Sequence, residues 1–179
     1  MKLKRWMATP AAIAATALAS WALQGTAPRS VAGKYAAHAE QNGVAIGAVM
    51  LTSGELRKTF KTDVDRCCRV VEVALYPQDG GPADVSLGDF TLQVAGEEIA
   101  AKPSTPKVVA WRSSHDSDRL RPRLIVDMEE ELLERALPLG TTAAPVSGYL
   151  YFEFSTKVKN AKYQLEYMAK GSKLVLPLN

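Results

Sequence analysis

Histidine and cysteine are scarce in this chain of 179 residues, and their scarcity excludes several kinds of site. The two histidines are His38 and His115, and the two cysteines are the adjacent Cys67 and Cys68. Zinc sites need spaced cysteine and histidine ligands, and covalent haem attachment needs a CxxCH sequence, so neither site is predicted. Glycine-rich loops that hold phosphate groups are missing as well. We therefore expect no metal and no cofactor.

The adjacent cysteines are poorly spaced for a disulfide on a strand. Neighbouring side chains of a strand point to opposite faces of the sheet, so a bridge between Cys67 and Cys68 would require a tight turn. We expect one of the two to be a small core residue and the other to lie at the sheet surface, both as free thiols. A redox switch formed by the pair, or a bridge between molecules, is the alternative.

Positive charge is not in excess outside the N-terminus. The formal net charge of +3 comes from 22 basic and 19 acidic residues, but four of the basic residues precede residue 31 without any acid: Lys2, Lys4, Arg5 and Arg29. Subtracting these 4 from 22 leaves 18 basic residues against 19 acidic ones. A nucleic-acid-binding protein is expected to present a basic face, so we do not expect nucleic acid as a partner.

The N-terminal residues predict a membrane segment. A positive start precedes the uncharged stretch 7–23, MATPAAIAATALASWAL. A retained single-pass anchor is favoured by Trp6 and Trp21, which flank the stretch as an aromatic belt does. A cleaved secretory signal is favoured by the positive start and by the A-x-A site that ends at Ala19. We take the retained anchor as the first prediction, with a cytoplasmic N-terminus and a periplasmic domain.

Small side chains line the predicted membrane helix. They recur at four-residue spacing, at Ala8 and Ala12 and at Ala11, Ala15 and Ala19. Small residues at this spacing let helices approach closely in lipid. The pattern predicts packing against other transmembrane helices, in addition to contact with membrane lipid. Because no cysteine precedes residue 67, a lipoprotein anchor near the N-terminus is excluded.

Alternating apolar and polar residues predict that the rest of the chain is mostly β-structure. The clearest alternation is in residues 146–155, where Leu150 and Phe152 share one face and Tyr149 and Tyr151 share the other. Two shorter strands follow, at 161–167 and 173–178. We predict that these three strands form an antiparallel meander, packed against a second sheet of earlier strands. A composition that is 47% hydrophobic is sufficient for such a core.

Earlier elements complete the predicted fold. Strands are predicted at 44–51, 67–76, 85–94 and 108–111. A short helix is predicted after a capping box formed by Thr52 and Glu55, and a second after Asp127, ending before Pro138. The predicted organisation has three parts: a membrane helix (anchor or signal) over 1–24, a linker over 25–41 and a β-sandwich domain over 42–179.

The order of several phrases resembles a known type of domain. These phrases are NGVAIGAVML, a short helix, RVVEVALYP, DVSLGDFTLQV and VSGYLYFEF. The order is similar to that of the immunoglobulin-like, telokin-like domains (DUF4352 type) of exported bacterial proteins of unknown function. The resemblance covers residues 42–178 and implies an all-β fold, an immunoglobulin-like antiparallel β-sandwich of about seven strands with short helical insertions. It implies no catalytic residues, and residues 112–145 have no counterpart in the pattern.

Residues 112–123 contain the two candidate sites of the chain. Residues 113–116, SSHD, have the side chains of a catalytic triad, but consecutive residues cannot converge on one substrate atom, so a solvated loop is predicted. The stretch also carries a concentration of arginines, a side chain that binds carboxylate or phosphate bidentately. We predict a docking surface for an acidic partner or lipid head groups, with a hydrated loop as the alternative. Its residues are Arg112, Arg119, Arg121 and Arg123.

Acidic residues on the second helix are predicted to form a solvated face rather than a metal site; they are Glu129, Glu130, Glu131 and Glu134. With no catalytic motif, the chain is predicted to be a non-catalytic accessory or structural subunit of a larger membrane complex, of the respiratory or photosynthetic kind. Its partners would be other subunits of that complex. The alternative is a module cleaved after Ala19 or Ala27 and secreted to the periplasm, where its loops bind a protein, glycan or lipid. An enzyme using residues 113–116 is the weakest hypothesis.

Overall fold

The structure is a computed structural model that describes residues 24–78, 81–114, 122–154, 161–169 and 171–178. The predicted membrane segment lies outside these ranges, together with the residues predicted to pack or flank it: Trp6, Ala8, Ala11, Ala12, Ala15, Ala19 and Trp21. None of the helices in the described ranges is long and apolar enough to cross a membrane.

Strands make up most of the regular structure in the described residues, as the sequence predicts. The eleven strands found there are β1 Ala37–Gln41, β2 Val44–Met50, β3 Cys68–Pro77, β4 Ala83–Val85, β5 Phe90–Val94, β6 Ala100–Ala101, β7 Pro103–Ser104, β8 Gly140–Thr142, β9 Val146–Glu153, β10 Tyr163–Ala169 and β11 Ser172–Leu178. The α-helices are α1 Ser53–Thr59, α2 Pro106–Ser114 and α3 Pro122–Arg135. Short 3₁₀ turns occur at Ala32–Lys34, Val64–Arg66 and Leu87–Asp89.

The strands form antiparallel sheets. A five-stranded sheet has the order β1-β2-β3-β9-β7, a four-stranded sheet the order β11-β10-β5-β6, and β4 pairs with β8. The outer strands β7 and β11 each contain a proline, Pro103 and Pro177. One buried cluster holds side chains from both larger sheets, including Val73 of β3, Phe152 of β9 and Leu165 of β10. The two sheets therefore enclose a common core.

Helices α2 and α3 cover the other face of the five-stranded sheet. Val109 and Ala110 of α2 and Leu132 of α3 join a second buried cluster with Val70 and Tyr151 of the sheet. Strand β3 is consequently buried on both faces, because Val71 and Val73 lie in the first cluster while Val70 lies in the second. The prediction of a central strand here is confirmed. The second predicted helix corresponds to α3, which forms a third layer on the sheet together with α2, a helix that the sequence did not predict.

The predicted strand at 108–111 is wrong, because these residues belong to α2. Pro106 occupies the first position of the helix, where its fixed φ fits and no amide hydrogen is needed. The amide of Val109 donates to the carbonyl of Thr105 at 3.1 Å, which closes the first turn. The sequence of a short apolar run is compatible with a buried strand and with a buried helix, and periodicity alone does not distinguish them. Here Val109 and Ala110 are both buried while Val108 and Trp111 are exposed, a pattern that fits a helix and not the strict alternation of a strand.

Helix α3 begins at Pro122, six residues before Met128, where the helix predicted after Asp127 would start. The predicted capping box at Asp127 is therefore inside the helix and caps nothing. The first capping box is confirmed, since the Thr52 hydroxyl accepts from the amide of Glu55 and the Glu55 carboxylate accepts from the amide of Thr52. Both motifs have residues that can form a capping box. Only Thr52 has the extended backbone of a residue that precedes a helix, whereas Asp127 lies within α3.

The three last strands do not form the predicted meander. Strand β9 lies between β3 and β7, while β10 pairs with β11 and β5 in the other sheet. The reason is burial: Leu150 and Phe152 of β9 face the inner core and Tyr151 faces the helices, so β9 requires cover on both sides. Strand β11 buries every second residue, as expected for a strand that is covered on one face only.

Residues 25–41 are built into the domain, although the sequence predicts a linker over them. Strand β1 pairs with β2 through a tight turn in which Asn42 and Gly43 have φ of 52° and 76°. Before β1, the side chains of Ala32 and Tyr35 are buried against the outer face of the sheet. The segment contains polar residues and alanines but few large apolar side chains, and this composition predicted a linker. Alanine, however, is easily buried under a turn.

Candidate functional site

The predicted arginine surface is described only in part. Arg119 and Arg121 lie outside the described residues. Arg112 is at the end of α2, where its Nε is 3.2 Å from the Glu153 carboxylate, and Arg123 is exposed in the first turn of α3. The Glu153 carboxylate also accepts from the Ser104 hydroxyl at 2.6 Å. Arg112 therefore ties α2 to the end of β9. The docking role of the four arginines stays a prediction.

The two serines of the SSHD stretch are the last residues of α2. The Ser114 hydroxyl donates to the carbonyl of Trp111 at 2.6 Å, and the Ser113 Oγ lies 3.4 Å from the Cys67 Sγ. His115 and Asp116 lie outside the described residues. Both serine hydroxyls thus have neighbours that serve the local structure, which gives no support to a catalytic use.

A cleft of about 730 Å³ lies where the end of α2, the middle of α3 and the segment 61–63 meet. Five carboxylates line it against two basic side chains, so its charge is predominantly negative. The acidic residues are Asp63, Asp127, Glu130, Glu131 and Glu134, and the basic residues are Lys61 and Arg135.

One of these carboxylates holds the wall of the cleft together. Glu131 accepts from the amides of Lys61 at 2.7 Å and Thr62 at 3.0 Å, and from the Thr62 hydroxyl at 2.8 Å. The predicted solvated acidic face is therefore wrong for Glu131, which fixes α3 to the segment after α1. Glu130, the next residue before it, is exposed to solvent.

Arg135 lies at the base of the same wall. Its guanidinium carbon is 5.9 Å from the centre of the Phe60 ring, a cation–π distance, and its Nε is buried without a hydrogen-bond partner. Burial raises the pKa of Tyr149 and of Tyr151, and the positive charge of Arg135 acts against that rise. The Tyr151 hydroxyl donates to the carbonyl of Leu132 at 2.9 Å, so this phenol ties the sheet to α3.

The adjacent cysteines form a disulfide, contrary to the prediction of two free thiols. The 3₁₀ turn Val64–Arg66 ends at Cys67, whose backbone is helical, and β3 begins only at Cys68. The two side chains are therefore not on one strand, and the turn brings their sulfur atoms together. The adjacent cysteines in the sequence could have indicated a disulfide. Predicting it would have required knowing that β3 begins at Cys68 and that Cys67 belongs to the preceding turn.

This bridge adds little to the stability of the fold. The stabilisation from a cross-link grows with the length of the closed loop, and it is about 3 kcal/mol for fifteen residues. For Cys67 and Cys68 the loop contains only the two residues themselves, for which the same relation gives about 1 kcal/mol. Stapling the chain is thus a poor explanation for a bridge at this position.

The first described residues are fixed to the domain by four hydrogen bonds. Gln24 Nε2 donates to the carbonyl of Leu133 at 3.2 Å, and the Gly25 amide donates to the carbonyl of Glu134 at 2.8 Å. The Thr26 amide donates to the carbonyl of Ser147 at 2.8 Å, and the two hydroxyls of this pair lie 2.6 Å apart. Gly25 has φ of 101° and closely approaches the Ser147 carbonyl, so a side chain would not fit there.

Apolar side chains surround the point where the chain enters the domain. Leu133 is 46% exposed and Leu139 is 54% exposed. Both line a small cleft of about 170 Å³ together with Gln24, Ala136 and Pro106. Because residue 24 directly follows the apolar stretch 7–23, this rim is the part of the domain nearest to that stretch along the chain.

A polar cluster holds the next segment on the sheet. The Tyr76 hydroxyl donates to the carbonyl of Arg29 at 2.7 Å, and the Tyr35 hydroxyl donates to the Glu72 carboxylate at 3.3 Å. The Arg29 guanidinium lies 3.8 Å from the same carboxylate and 4.3 Å from the centre of the Tyr35 ring. Burial raises the pKa of Tyr76, because its phenol has little water around it. These contacts explain why residues 25–36 follow a fixed course.

Within the residues that the structure describes, no three His, Cys, Asp or Glu side chains come together in a way that could hold a metal ion. Comparison of the chain with protein-family models, with curated proteins and with solved structures gives no match.

Proposed function

We propose that this protein is a non-catalytic subunit of a larger membrane complex, anchored by residues 7–23 and carrying its β-domain on the periplasmic side. The observation that carries the proposal is the attachment of Gln24, Gly25 and Thr26 to α3 and β9. The stretch 7–23 ends one residue before these hydrogen bonds begin. An anchor joined in this way holds the domain at one orientation to the membrane, as a subunit in a fixed assembly needs.

The apolar rim supports the same arrangement. With no flexible linker between residue 23 and the domain, the rim around Gln24 would lie close to the membrane surface. Leu133 and Leu139 are exposed at this rim, and exposed apolar side chains gain free energy by leaving water for the lipid interface or for a neighbouring transmembrane subunit. The small residues of the stretch 7–23 suit contact with such a neighbour.

The disulfide supports a location outside the cytoplasm. Disulfides form and persist in oxidising compartments such as the bacterial periplasm, and they are rare where glutathione and thioredoxin keep thiols reduced. The bridge between Cys67 and Cys68 is therefore consistent with export of the domain. We also propose that the two packed sheets are of the immunoglobulin-like kind, with the helical layer α2–α3 as an addition to that plan.

Purification from native membranes in a mild detergent tests this proposal. We expect an intact mass close to the full-length 19.4 kDa and co-purification with larger membrane subunits. A flexible six-residue Gly/Ser insertion between residues 23 and 24 should reduce co-purification, because it frees the orientation of the domain. The same insertion after Glu97, in an exposed turn, is the matched control and should leave the complex intact. Recovery of the unaltered protein as a free soluble species would refute the proposal.

A secreted binding module is the second candidate, and the acidic cleft is the observation that favours it. Cleavage after Ala19 would leave the contacts of Gln24 and Thr26 in place, whereas cleavage after Ala27 would remove them and unseat the chain from β9. The intact mass separates this candidate from the first. A mass lower by roughly two kilodaltons, as removal of residues 1–19 at an A-x-A site predicts, would identify a soluble module.

A further inference from the structure

The bridge between Cys67 and Cys68 has surroundings that suit exchange with another thiol. Cys67 is partly exposed and Cys68 is 2% exposed, so an attacking sulfur can reach the bridge only at Cys67. Exchange proceeds by attack of a thiolate in line with the bond that breaks, so access to one sulfur decides which cysteine is released. The released sulfur is then that of Cys68, inside the cluster under the helices.

The environment of Cys67 satisfies both redox forms. In the bridged form its Sγ carries no proton, so the Ser113 hydroxyl, 3.4 Å away, is the donor of their contact. In the reduced form the Cys67 thiol can donate to the carbonyl of Val64, which lies 3.6 Å from the Sγ. Reduction therefore leaves the Cys67 sulfur with a hydrogen-bond partner.

We propose that Cys67–Cys68 is a reversible thiol–disulfide exchange site, reduced at Cys67 by a dithiol, and that its state sets how the end of α2 packs against the turn Val64–Arg66. The link to α2 is Ser113, which contacts the Cys67 sulfur and also lines the acidic cleft. The proposal does not depend on the membrane anchor.

The reaction balances with a dithiol as the reductant. Its first thiolate attacks the Cys67 sulfur, which breaks the bond to Cys68 and forms a mixed disulfide; Cys68 leaves as a thiolate and takes up a proton. The second thiolate of the reductant attacks the reductant sulfur of the mixed disulfide, which releases Cys67 as a thiolate that also takes up a proton. Two electrons pass to the cysteine pair, and the reductant becomes a disulfide.

The test uses the full-length protein, produced in an oxidising compartment and kept in mild detergent. Dithiothreitol is added without denaturant and the exchange is stopped with acid. The thiols are then alkylated in the unfolded protein, and peptide masses locate the labels. We expect no labelling before reduction and full labelling of both cysteines after it, with an unchanged far-UV circular dichroism spectrum. Hydrogen exchange in α2 should become at least threefold faster on reduction, whereas exchange in β10 and β11 should not change.

Two single-cysteine variants test the direction of attack. Cys68→Ala leaves Cys67 as a thiol and Cys67→Ala leaves Cys68, and we expect the thiol of Cys67 to be alkylated at least tenfold faster. Two free thiols in the untreated protein, a bridge that is reduced only after unfolding, or exchange in α2 that ignores reduction would each overturn the proposal. The measurements on the unaltered protein decide the question even where a variant fails to fold.

Discussion

Replacing Glu131 by alanine is the sharpest test of how the helical layer is held on the sheet. The carboxylate accepts three hydrogen bonds from Lys61 and Thr62, at 2.7, 3.0 and 2.8 Å. The Lys61 amide is at an exposed residue and can bond to water instead. Thr62 is only 7% exposed, so its amide and its hydroxyl would lose their partner inside the protein.

The magnitude follows from those two donors. A buried donor left without a partner costs about 1–3 kcal/mol, and the lower part of that range applies to each of the two donors because Thr62 lines an open cleft that water can enter. We therefore expect Glu131→Ala to lower the free energy of unfolding by about 2–4 kcal/mol. The neighbouring Glu130→Ala is the matched control on the same helix, because Glu130 is exposed, and its effect should stay within about 0.5 kcal/mol.

Urea unfolding of the full-length protein, followed by circular dichroism, measures both variants. With a slope of about 2 kcal/mol per molar urea, the Glu131 variant should unfold about 1–2 M earlier than the unaltered protein. Thr62→Val adds a second check, since its effect and that of Glu131→Ala should be far from additive when the two residues act through shared hydrogen bonds. Equal midpoints for the Glu130 and Glu131 variants would refute this account of the cleft wall.

Three further predictions concern the sheet and its covers. Gly148→Ala should destabilise the fold by several kcal/mol or prevent folding, because its Cβ would lie 2.5 Å from backbone atoms of the segment after α3, whereas Gly33→Ala meets no atom within 4 Å and should be neutral in the same urea assay. Thr26→Val should speed hydrogen exchange in residues 24–27, since it removes the 2.6 Å hydroxyl contact with Ser147; unchanged exchange would contradict the assigned attachment. Burial raises the pKa of Tyr167 to about 12, so the stability from this phenol is complete below pH ~10 and is lost as the pH rises towards that value. Urea midpoints should fall between pH 10 and 11, and the buried phenols of Tyr76, Tyr149 and Tyr151, whose pKa values are also raised by burial, should add to this fall. Midpoints that stay constant over this range would contradict the prediction.

Apolar patterns in the sequence predicted the longer strands β2, β3, β5, β9, β10 and β11, whereas β1 and the short strands β4, β6, β7 and β8 were not predicted. Phe90 and Leu92 alternate with polar residues in β5, and burial follows that alternation. In β11 the buried Leu174 and Leu176 are separated by the exposed Val175, so there the burial alternates although the polarity does not. The sheet to which a strand belongs was not predictable in the same way. Strand β9 has the alternating pattern expected for a strand of the meander, yet its second face is covered by α2 and α3, and the sequence did not indicate this contact.

The candidate site was less accessible to prediction, because its features depend on contacts between distant segments. The role of Glu131 rests on Thr62, which is 69 residues earlier in the chain, and nothing in the sequence distinguishes it from Glu130. The bridge between Cys67 and Cys68 depends on where a strand begins, to within one residue, and element boundaries are the least predictable part of a secondary structure.

The prolines of the outer strands limit how this domain can associate. Pro103 of β7 pairs with Phe152 and Pro177 of β11 pairs with Gln164, and neither proline has an amide hydrogen to donate. An extended segment of another molecule that aligned along β7 or β11 would receive no backbone hydrogen bond from the proline, and the proline ring would obstruct its approach. Strand addition along these two margins is therefore disfavoured, and recognition there must rely on side chains.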